Sequence, residues 1–372
     1  MAKAAATMTN HEFYMRLALH NAMAMKGQTD PNPLVGSVIV NDNRIVGVGV
    51  HMKAGEPHAE IHAIRMAGEH TRGATIYVTL EPCSHHGRTG PCAVAIVEAG
   101  IRRVVIAALD PNPLVSGRGV SILREAGIEV IVGVLEDESR KMNEVFNKFI
   151  VHRIPFVTLK SAVTMDGKTA SYASDSKWIT SDAAREDVHL LRNQNVAILV
   201  GVTTIVKDDA QLTTRLPNGR NPVRIVLDST LRLPLDAKVV TDGEAPTWVF
   251  TTPSYDRDKK EALESAGVTV FVTGRSGRVD PAEVVRVLGE QMISSLLIEG
   301  GSEINASFFE RRLVDKLVIY MAPKLIGGRD APSFLEGTGM EKMNDAVDVS
   351  DLSIETVGRD FKFTGYPVYR NR

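Results

Sequence analysis

Three residue types gather between positions 58 and 92 that could hold a metal ion and move a proton. The chain reads His58-Ala59-Glu60, then Glu81-Pro82-Cys83, eight intervening residues, and Pro91-Cys92. Cys83 and Cys92 are the only cysteines in 372 residues. One imidazole and two thiolates give Zn²⁺ three protein ligands and leave a fourth position for water, while a Glu kept off the metal can shuttle protons. That equipment suits hydrolytic deamination. Pro91-Cys92 opens an apolar helical run, so Cys92 falls in a first turn whose free N–H groups and macrodipole favour a thiolate. Cys83 follows a strand, and His58 starts a helix after Pro57. Glu60 could take the proton of a zinc-polarised water and deliver it to a leaving amine.

Other uses of these residues compete. His58 and His62 lie one helical turn apart and could themselves form a metal pair. A closed structural zinc would need a fourth ligand from His51, His62, His85 or His86, and would leave Glu60 without a task. A Cys83–Cys92 disulfide would tend to be reduced in a cytosolic protein.

The composition narrows the substrate. With 44% apolar and 24% charged residues the chain can fill two soluble domains. A net charge of −2 provides no field for a polyanion, and 5% aromatic content no stacking groove, so a deaminase of bases in RNA or DNA fits poorly. No run approaches the roughly 18 apolar residues of a membrane span, and no signal-peptide pattern opens the chain. The reading is a cytoplasmic enzyme for a small molecule, with no nucleic-acid or membrane partner.

The elements that must position these residues follow from pattern. Residues 1 to 10 read as a frayed leader and 12 to 25 as an amphipathic helix. Segments 35 to 40 and 45 to 50 form a hairpin through Asn41-Asp42-Asn43-Arg44. Helices at 58 to 69, 92 to 99 and 117 to 126 alternate with strands at 75 to 80, 103 to 108 and 128 to 132, which gives a mixed α/β layer fold. A helix over 136 to 149 runs toward Pro155 and places a boundary near 150. Further strands are expected at 156 to 162, 196 to 200, 223 to 227, 247 to 251, 268 to 272, 295 to 298 and 315 to 320. Asp-Pro-Asn-Pro-Leu-Val occurs at both 30 to 35 and 110 to 115; the flanks differ, so these read as two similar turns.

Asp30-Pro31-Asn32-Pro33-Leu34-Val35-Gly36, His58-Ala59-Glu60 and the run from Pro82-Cys83 to Pro91-Cys92 together resemble the bifunctional deaminase/reductase family of riboflavin biosynthesis. Generic nucleobase deaminases have two residues between their cysteines, and the eight here are characteristic of the riboflavin branch. Gly90 stands where many relatives have proline. The resemblance implies that Asn32, His51 and Arg88 hold the pyrimidine or its ribose phosphate.

In the second half, Ile298-Glu299-Gly300-Gly301-Ser302 leads from a buried strand into a helix whose N–H groups could cradle a pyrophosphate. No Gly-x-Gly-x-x-Gly follows a strand. The stretches 159 to 170, 176 to 180 and 201 to 209 resemble the dihydrofolate-reductase-like half of the same family. The whole chain then reads as a cytidine-deaminase-like three-layer domain over 1–150 and a reductase domain over 151–372. The resemblance implies NADPH contacts at Ala162, Trp178, Thr204, Asp208, Ser229, Gly301, Ser302, Glu303, Ile304, Asn305, Ala306 and Ser307. It implies substrate contacts at Ser176, Arg192, Leu212, Arg215 and Glu299. Arg192 and Arg215 could each grip a 5′-phosphate bidentately, with Ser176 donating a third bond. Lys160 and Asp208 are the titrating groups in the matched motifs for sugar-ring opening, although a strand salt bridge and a helix-end turn would account for them equally. Ser229 and nearby Arg232 could meet a 2′-phosphate. The implied work is zinc-dependent deamination of a pyrimidine ribose phosphate followed by NADPH-dependent reduction of its ribosyl chain, in a homodimer joined through the second domain.

Overall fold

The computed structural model describes residues 10–84, 90–113, 115–274 and 277–370. Two compact units divide it, Met1–Arg153 and Ile154–Arg372.

The first unit runs α1 (Asn10–Met23), β1 (Gly36–Asn41), β2 (Arg44–Val50), α2 (Ala59–Ala67), β3 (Thr75–Leu80), α3 (Cys92–Glu98), β4 (Arg103–Ala108), α4 (Arg118–Glu125), β5 (Glu129–Val132), α5 (Glu136–Met142) and α6 (Glu144–His152). Its sheet has the order β2-β1-β3-β4-β5, with β1 antiparallel to both neighbours and β3, β4 and β5 parallel. Asp42 and Asn43 both take positive φ and close the expected hairpin. Alternate strand residues feed two cores. Ile39, Ile76, Val78, Val104 and Ile106 pack with Ala63, Ile96 and Leu123 of the helices on one face. Val38, Val40, Tyr77 and Val105 pack with Met15, Ala18 and Leu19 on the other. Strands covered on both faces are apolar throughout, which is why the sequence shows them as unbroken runs. A Cβ on Gly49 would lie 2.1 Å from the carbonyl oxygen of Ala59, so α2 is seated directly on β2.

The helix expected over 136 to 149 is two helices parted at Asn143. That side chain is buried, accepts from Leu34 N–H at 2.8 Å and donates to Leu34 C=O at 2.9 Å. A tertiary pair of hydrogen bonds here displaces helix continuation, and it fixes the turn that carries Asn32.

The second unit runs β6 (Phe156–Thr164), α7 (Asp182–Gln194), β7 (Ala197–Gly201), α8 (Val202–Asp208), β8 (Val223–Leu227), α9 (Lys238–Thr241), β9 (Thr247–Thr251), α10 (Arg257–Ser265), β10 (Thr269–Val272), α11 (Pro281–Glu290), β11 (Ser295–Ile298), α12 (Ser302–Glu310), β12 (Lys316–Ala322), β13 (Asp348–Val357) and β14 (Asp360–Val368). The sheet order is β10-β9-β8-β7-β11-β6-β12-β14-β13. Strands β10 to β12 in that row are parallel, and β14 and β13 add an antiparallel edge. The seven strands expected from pattern are present. The last two escape a reading by pattern, because nine of the ten β13 residues are exposed and β14 contains Gly365 and Pro367.

Candidate active sites

Strand β3 delivers Glu81-Pro82-Cys83, α2 begins just after His58, and α3 begins at Cys92. The three meet. His58 Nδ1 lies 3.2 Å from Cys92 Sγ and 3.6 Å from Cys83 Sγ, and the three donor atoms all fall within 4.8 Å of one another. Tetrahedral zinc with Zn–S of about 2.3 Å and Zn–N of about 2.0 Å requires donor separations of roughly 3.5–3.8 Å, so the cluster fits that ion. The charges agree. Hydrogen bonding from Cys92, with His58 adding to it, brings Cys83 down to about 4, while the Cys92 thiol beside it is driven up. Alone, the pair holds one negative charge, and a divalent cation is what allows both sulfurs to be thiolates. Among the described residues the cluster that forms joins His58 to Cys83 and Cys92 and does not include His62.

Glu60 sits in the first turn of α2 with 3% exposure, and its Oε2 has no hydrogen-bond partner. Burial pushes its carboxyl up to about 7. Glu60, His58 and Cys83 face a cavity of about 340 Å³ together with Asn32 and His51. Asn32 Nδ2 lies 3.0 Å from His51 Nε2, and His51 Nδ1 lies 3.3 Å from the Pro57 carbonyl. A carbonyl only accepts, so Nδ1 carries the proton and Nε2 accepts from Asn32. Burial lowers the His51 pKa, which suits that neutral ring. The orientation of the Asn32 amide is thereby fixed. Arg88, His85 and His86 lie outside the described residues.

The same cavity is lined by residues that sequence reasoning passed over, among them Asp110, Asn112, Val115, Phe146 and Ile150. A signal existed. Both copies of Asp-Pro-Asn-Pro bring an asparagine, Asn32 and Asn112, to one cavity.

In the second unit, Glu299 follows β11, Arg192 closes α7 and Lys160 lies on β6. Arg192 donates to Glu299 through Nε at 2.7 Å and Nη2 at 3.0 Å, and through Nη1 to the Thr213 carbonyl at 3.0 Å. Lys160 Nζ approaches the same carboxylate at 3.6 Å. Burial alone would raise Glu299, but Arg192 and then Lys160 hold it at about 2. The same burial lowers Lys160 despite that carboxylate; desolvation prevails at the lysine, the two cations at the glutamate. The Arg192 fork is therefore spent on Glu299 and does not present the bidentate pair expected for a phosphate. Leu212 and Arg215 both adopt positive φ beside Thr213, in the turn that Arg192 holds.

A cavity of about 1020 Å³ opens where β7, β8 and α12 end or begin, lined by Gly201, Ser229, Thr230, Arg232, Glu303, Ile304 and Ser307. A Cβ on Gly201 or Gly300 would come within 2.6 or 2.8 Å of Ile304. Gly301 precedes α12, and the first N–H groups of that helix are those a pyrophosphate would take. The donor set and the size suit a dinucleotide. Several expected contacts are not in this lining. Ser302 Oγ donates to Glu336, Asn305 Nδ2 donates to the Phe334 carbonyl, and Ala306 is buried. Thr204 and Asp208 lie on α8, with Asp208 Oδ1 3.8 Å from Lys177 Nζ. Ala162 pairs with Tyr320 in the sheet. Ser176 is exposed, and Trp178 is 63% exposed with the Arg185 guanidinium 4.4 Å from its ring.

Comparison with known proteins matches this division. The family of the cytidine and deoxycytidylate deaminase zinc-binding region matches residues 8–108, and that of the RibD C-terminal domain residues 155–363. The riboflavin biosynthesis protein RibD of Bacillus amyloliquefaciens is 47% identical over 97% of this chain and 100% of its own length. That of Escherichia coli is 43% identical over 94% and 97%. Among solved structures, Acinetobacter baumannii RibD superposes with a TM-score of 0.86 at 38% identity, covering 96% of this chain and 99% of its own. A diaminohydroxyphosphoribosylaminopyrimidine deaminase/5-amino-6-(5-phosphoribosylamino)uracil reductase of Thermotoga maritima gives 0.85 at 38% identity, with the same coverage. Zinc donors beside a buried glutamate in one unit, a dinucleotide cavity in the other and these relatives agree: the chain belongs to the RibD family, the bifunctional zinc-dependent deaminases and NADPH-dependent reductases of riboflavin biosynthesis.

Proposed function

We propose that the first unit deaminates 2,5-diamino-6-ribosylamino-4(3H)-pyrimidinone 5′-phosphate and that the second reduces the ribosyl chain of the product, giving 5-amino-6-(5-phosphoribitylamino)uracil. The observation that carries the first step is the unpartnered, buried Glu60 Oε2 in a cavity beside the His58, Cys83 and Cys92 donors. These three residues would hold zinc, which when bound supplies the Lewis acidity that makes water nucleophilic near neutral pH. Glu60 accepts the proton of the attacking water, passes it to a ring nitrogen and serves the departing amine in the same way. Asn32, locked by His51, orients the ring.

In the second unit Arg215 and Ser176 grip the 5′-phosphate. Lys160, kept beside the sugar by Glu299, moves the proton that opens the ring. The start of α12 and the cavity beside it would hold NADPH, which would supply the hydride that C1 accepts. Asp208, at the end of α8 and outside the lining of that cavity, is the second titrating group for ring opening, with Lys177 Nζ 3.8 Å from its Oδ1.

Glu60→Gln tests the assignment. The substitution should lower ammonia release by about 10²–10⁴-fold, with zinc content unchanged and NADPH oxidation on the deaminated intermediate intact. Full ammonia release from this variant would overturn the role of Glu60.

The protein pairs through its second unit. Among the described residues strand β13 has only β14 beside it, and it exposes Val349, Leu352 and Ile354, an apolar edge that a second copy can cover. Sedimentation should give a dimer, and Ile354→Asp a monomer; a monomeric parent would refute the pairing. No helix among the described residues is long and apolar enough to cross a membrane, and Cys83 and Cys92 form no disulfide, which supports work in the cytoplasm; activity recovered with membranes on cell fractionation would contradict it.

A further inference from the structure

We infer that Glu81 is a positioning residue for deamination: its carboxylate fixes the cavity loop 110–117 to the turn that carries Cys83. The inference rests on the cavity beside Glu60 being the pyrimidine site.

Glu81 is 6% exposed and stands two residues before Cys83. Its backbone N–H extends the β3–β4 ladder to the Ala108 carbonyl at 2.9 Å, so its position is set by the sheet. The carboxylate then reaches across to the next loop. Oε2 accepts from Asp110 N–H at 3.3 Å and Gly117 N–H at 2.9 Å, and Oε1 accepts from Val120 N–H at 3.2 Å. One side chain thus holds both ends of the loop. Gly117 precedes α4 and has no side chain to cap it, so the glutamate supplies from 36 residues away the acceptor that the helix start lacks. The packing is equally tight. A Cβ on Gly119 would sit 2.0 Å from the Pro82 carbonyl oxygen, which leaves α4 resting on the Glu81-Pro82 turn.

Asp110, Asn112 and Val115 of this loop line the cavity that Glu60 and Cys83 also line. The substrate is therefore held from two sides, by the metal donors and by the loop, and Glu81 sets the distance between them. A loop that touches parts of the substrate remote from the reacting carbon contributes uniform binding, and its displacement is felt in KM more than in kcat.

The test is steady-state ammonia release by Glu81→Gln in the full chain. A glutamine amide turns a donor toward backbone donors, so the KM for the pyrimidine should rise at least about 10-fold while kcat stays within about threefold. Zinc content and NADPH oxidation on the deaminated intermediate should match the parent, the retained zinc showing that the first unit is folded. Gly119→Ala pushes the same helix start off Pro82 with Glu81 intact and should show the same split, which keeps the test open if Glu81→Gln misfolds. If the two variants lower only the melting temperature and leave KM within about twofold, Glu81 is a structural cap and the inference fails. Loss of zinc would also overturn it, since Glu81 would then act on Cys83 rather than on the loop. Glu60→Gln separates the two readings: loss of ammonia release there with an unaltered Glu81→Gln leaves the site standing and removes only this role.

Discussion

Replacing Glu299 by glutamine keeps the shape of the side chain and removes the one charge that neutralises Arg192 and Lys160. The carboxylate has 10% side-chain exposure and sits at about 2 instead of 4.5. At about 1.4 kcal/mol for each pH unit, that difference corresponds to about 3 kcal/mol of stabilisation of the second unit at neutral pH. The figure meets the low end of the roughly 3–5 kcal/mol expected when one partner of a buried ion pair is removed. Lys160 can relieve part of the cost by shedding its proton, whereas Arg192 cannot. The sign with pH is fixed. A depressed carboxylate stabilises above its unfolded value near 4.5 and loses that contribution as pH falls toward 2, about half of it by pH 3. The assay is urea unfolding followed by tryptophan fluorescence, because the two tryptophans, Trp178 and Trp248, both belong to the second unit. With an m-value near 3 kcal/mol/M, Glu299→Gln should lower the midpoint by about 1 M at pH 7, and the difference should shrink to about half by pH 3. A difference under about 1 kcal/mol at pH 7, or one that stays constant down to pH 3, would refute the argument that this carboxylate is held charged by its two cations.

Two further outcomes follow from the sites. Chelation of zinc should abolish ammonia release, leave NADPH oxidation on the deaminated intermediate intact and be reversed by added zinc; loss of both activities together would place the metal's role elsewhere. On the cavity side of β8 the chain presents Ser229, Thr230 and Arg232, while Asp228 is buried with its Oδ2 accepting from Leu233 N–H. Hydroxyls and a guanidinium suit a 2′-phosphate, so Arg232→Ala should cut kcat/KM for NADPH by about 10-fold or more and change that for NADH less than about twofold; equal losses for both would show that Arg232 does not read the phosphate.

What the sequence discloses and what it conceals have a common physical basis. His58, Cys83 and Cys92 are legible because each lies at an element boundary marked by proline or by the end of an apolar run, and local pattern suffices to find such places. Central strands such as β3, β4, β7 and β11 are legible because burial on two faces leaves them almost continuously apolar. Asn143 is not, since what parts α5 from α6 is a pair of bonds to Leu34, 109 residues distant, and helical periodicity passes over it. The same holds for Arg192, whose fork looks available for phosphate until Glu299, 107 residues away, occupies it. Strand β13 hides for the opposite reason: its exposed side chains carry no alternation, and only β14 defines it as a strand. Asn112 is the instructive case. Its Asp-Pro-Asn-Pro motif is visible, but by pattern both copies read as turns and only the family resemblance singles out Asn32, because nothing local says that both turns open onto one cavity. Local chemistry picks out the metal donors and the glutamate beside them; the other residues that line the same cavity are brought together by the sheet, and only the fold shows them.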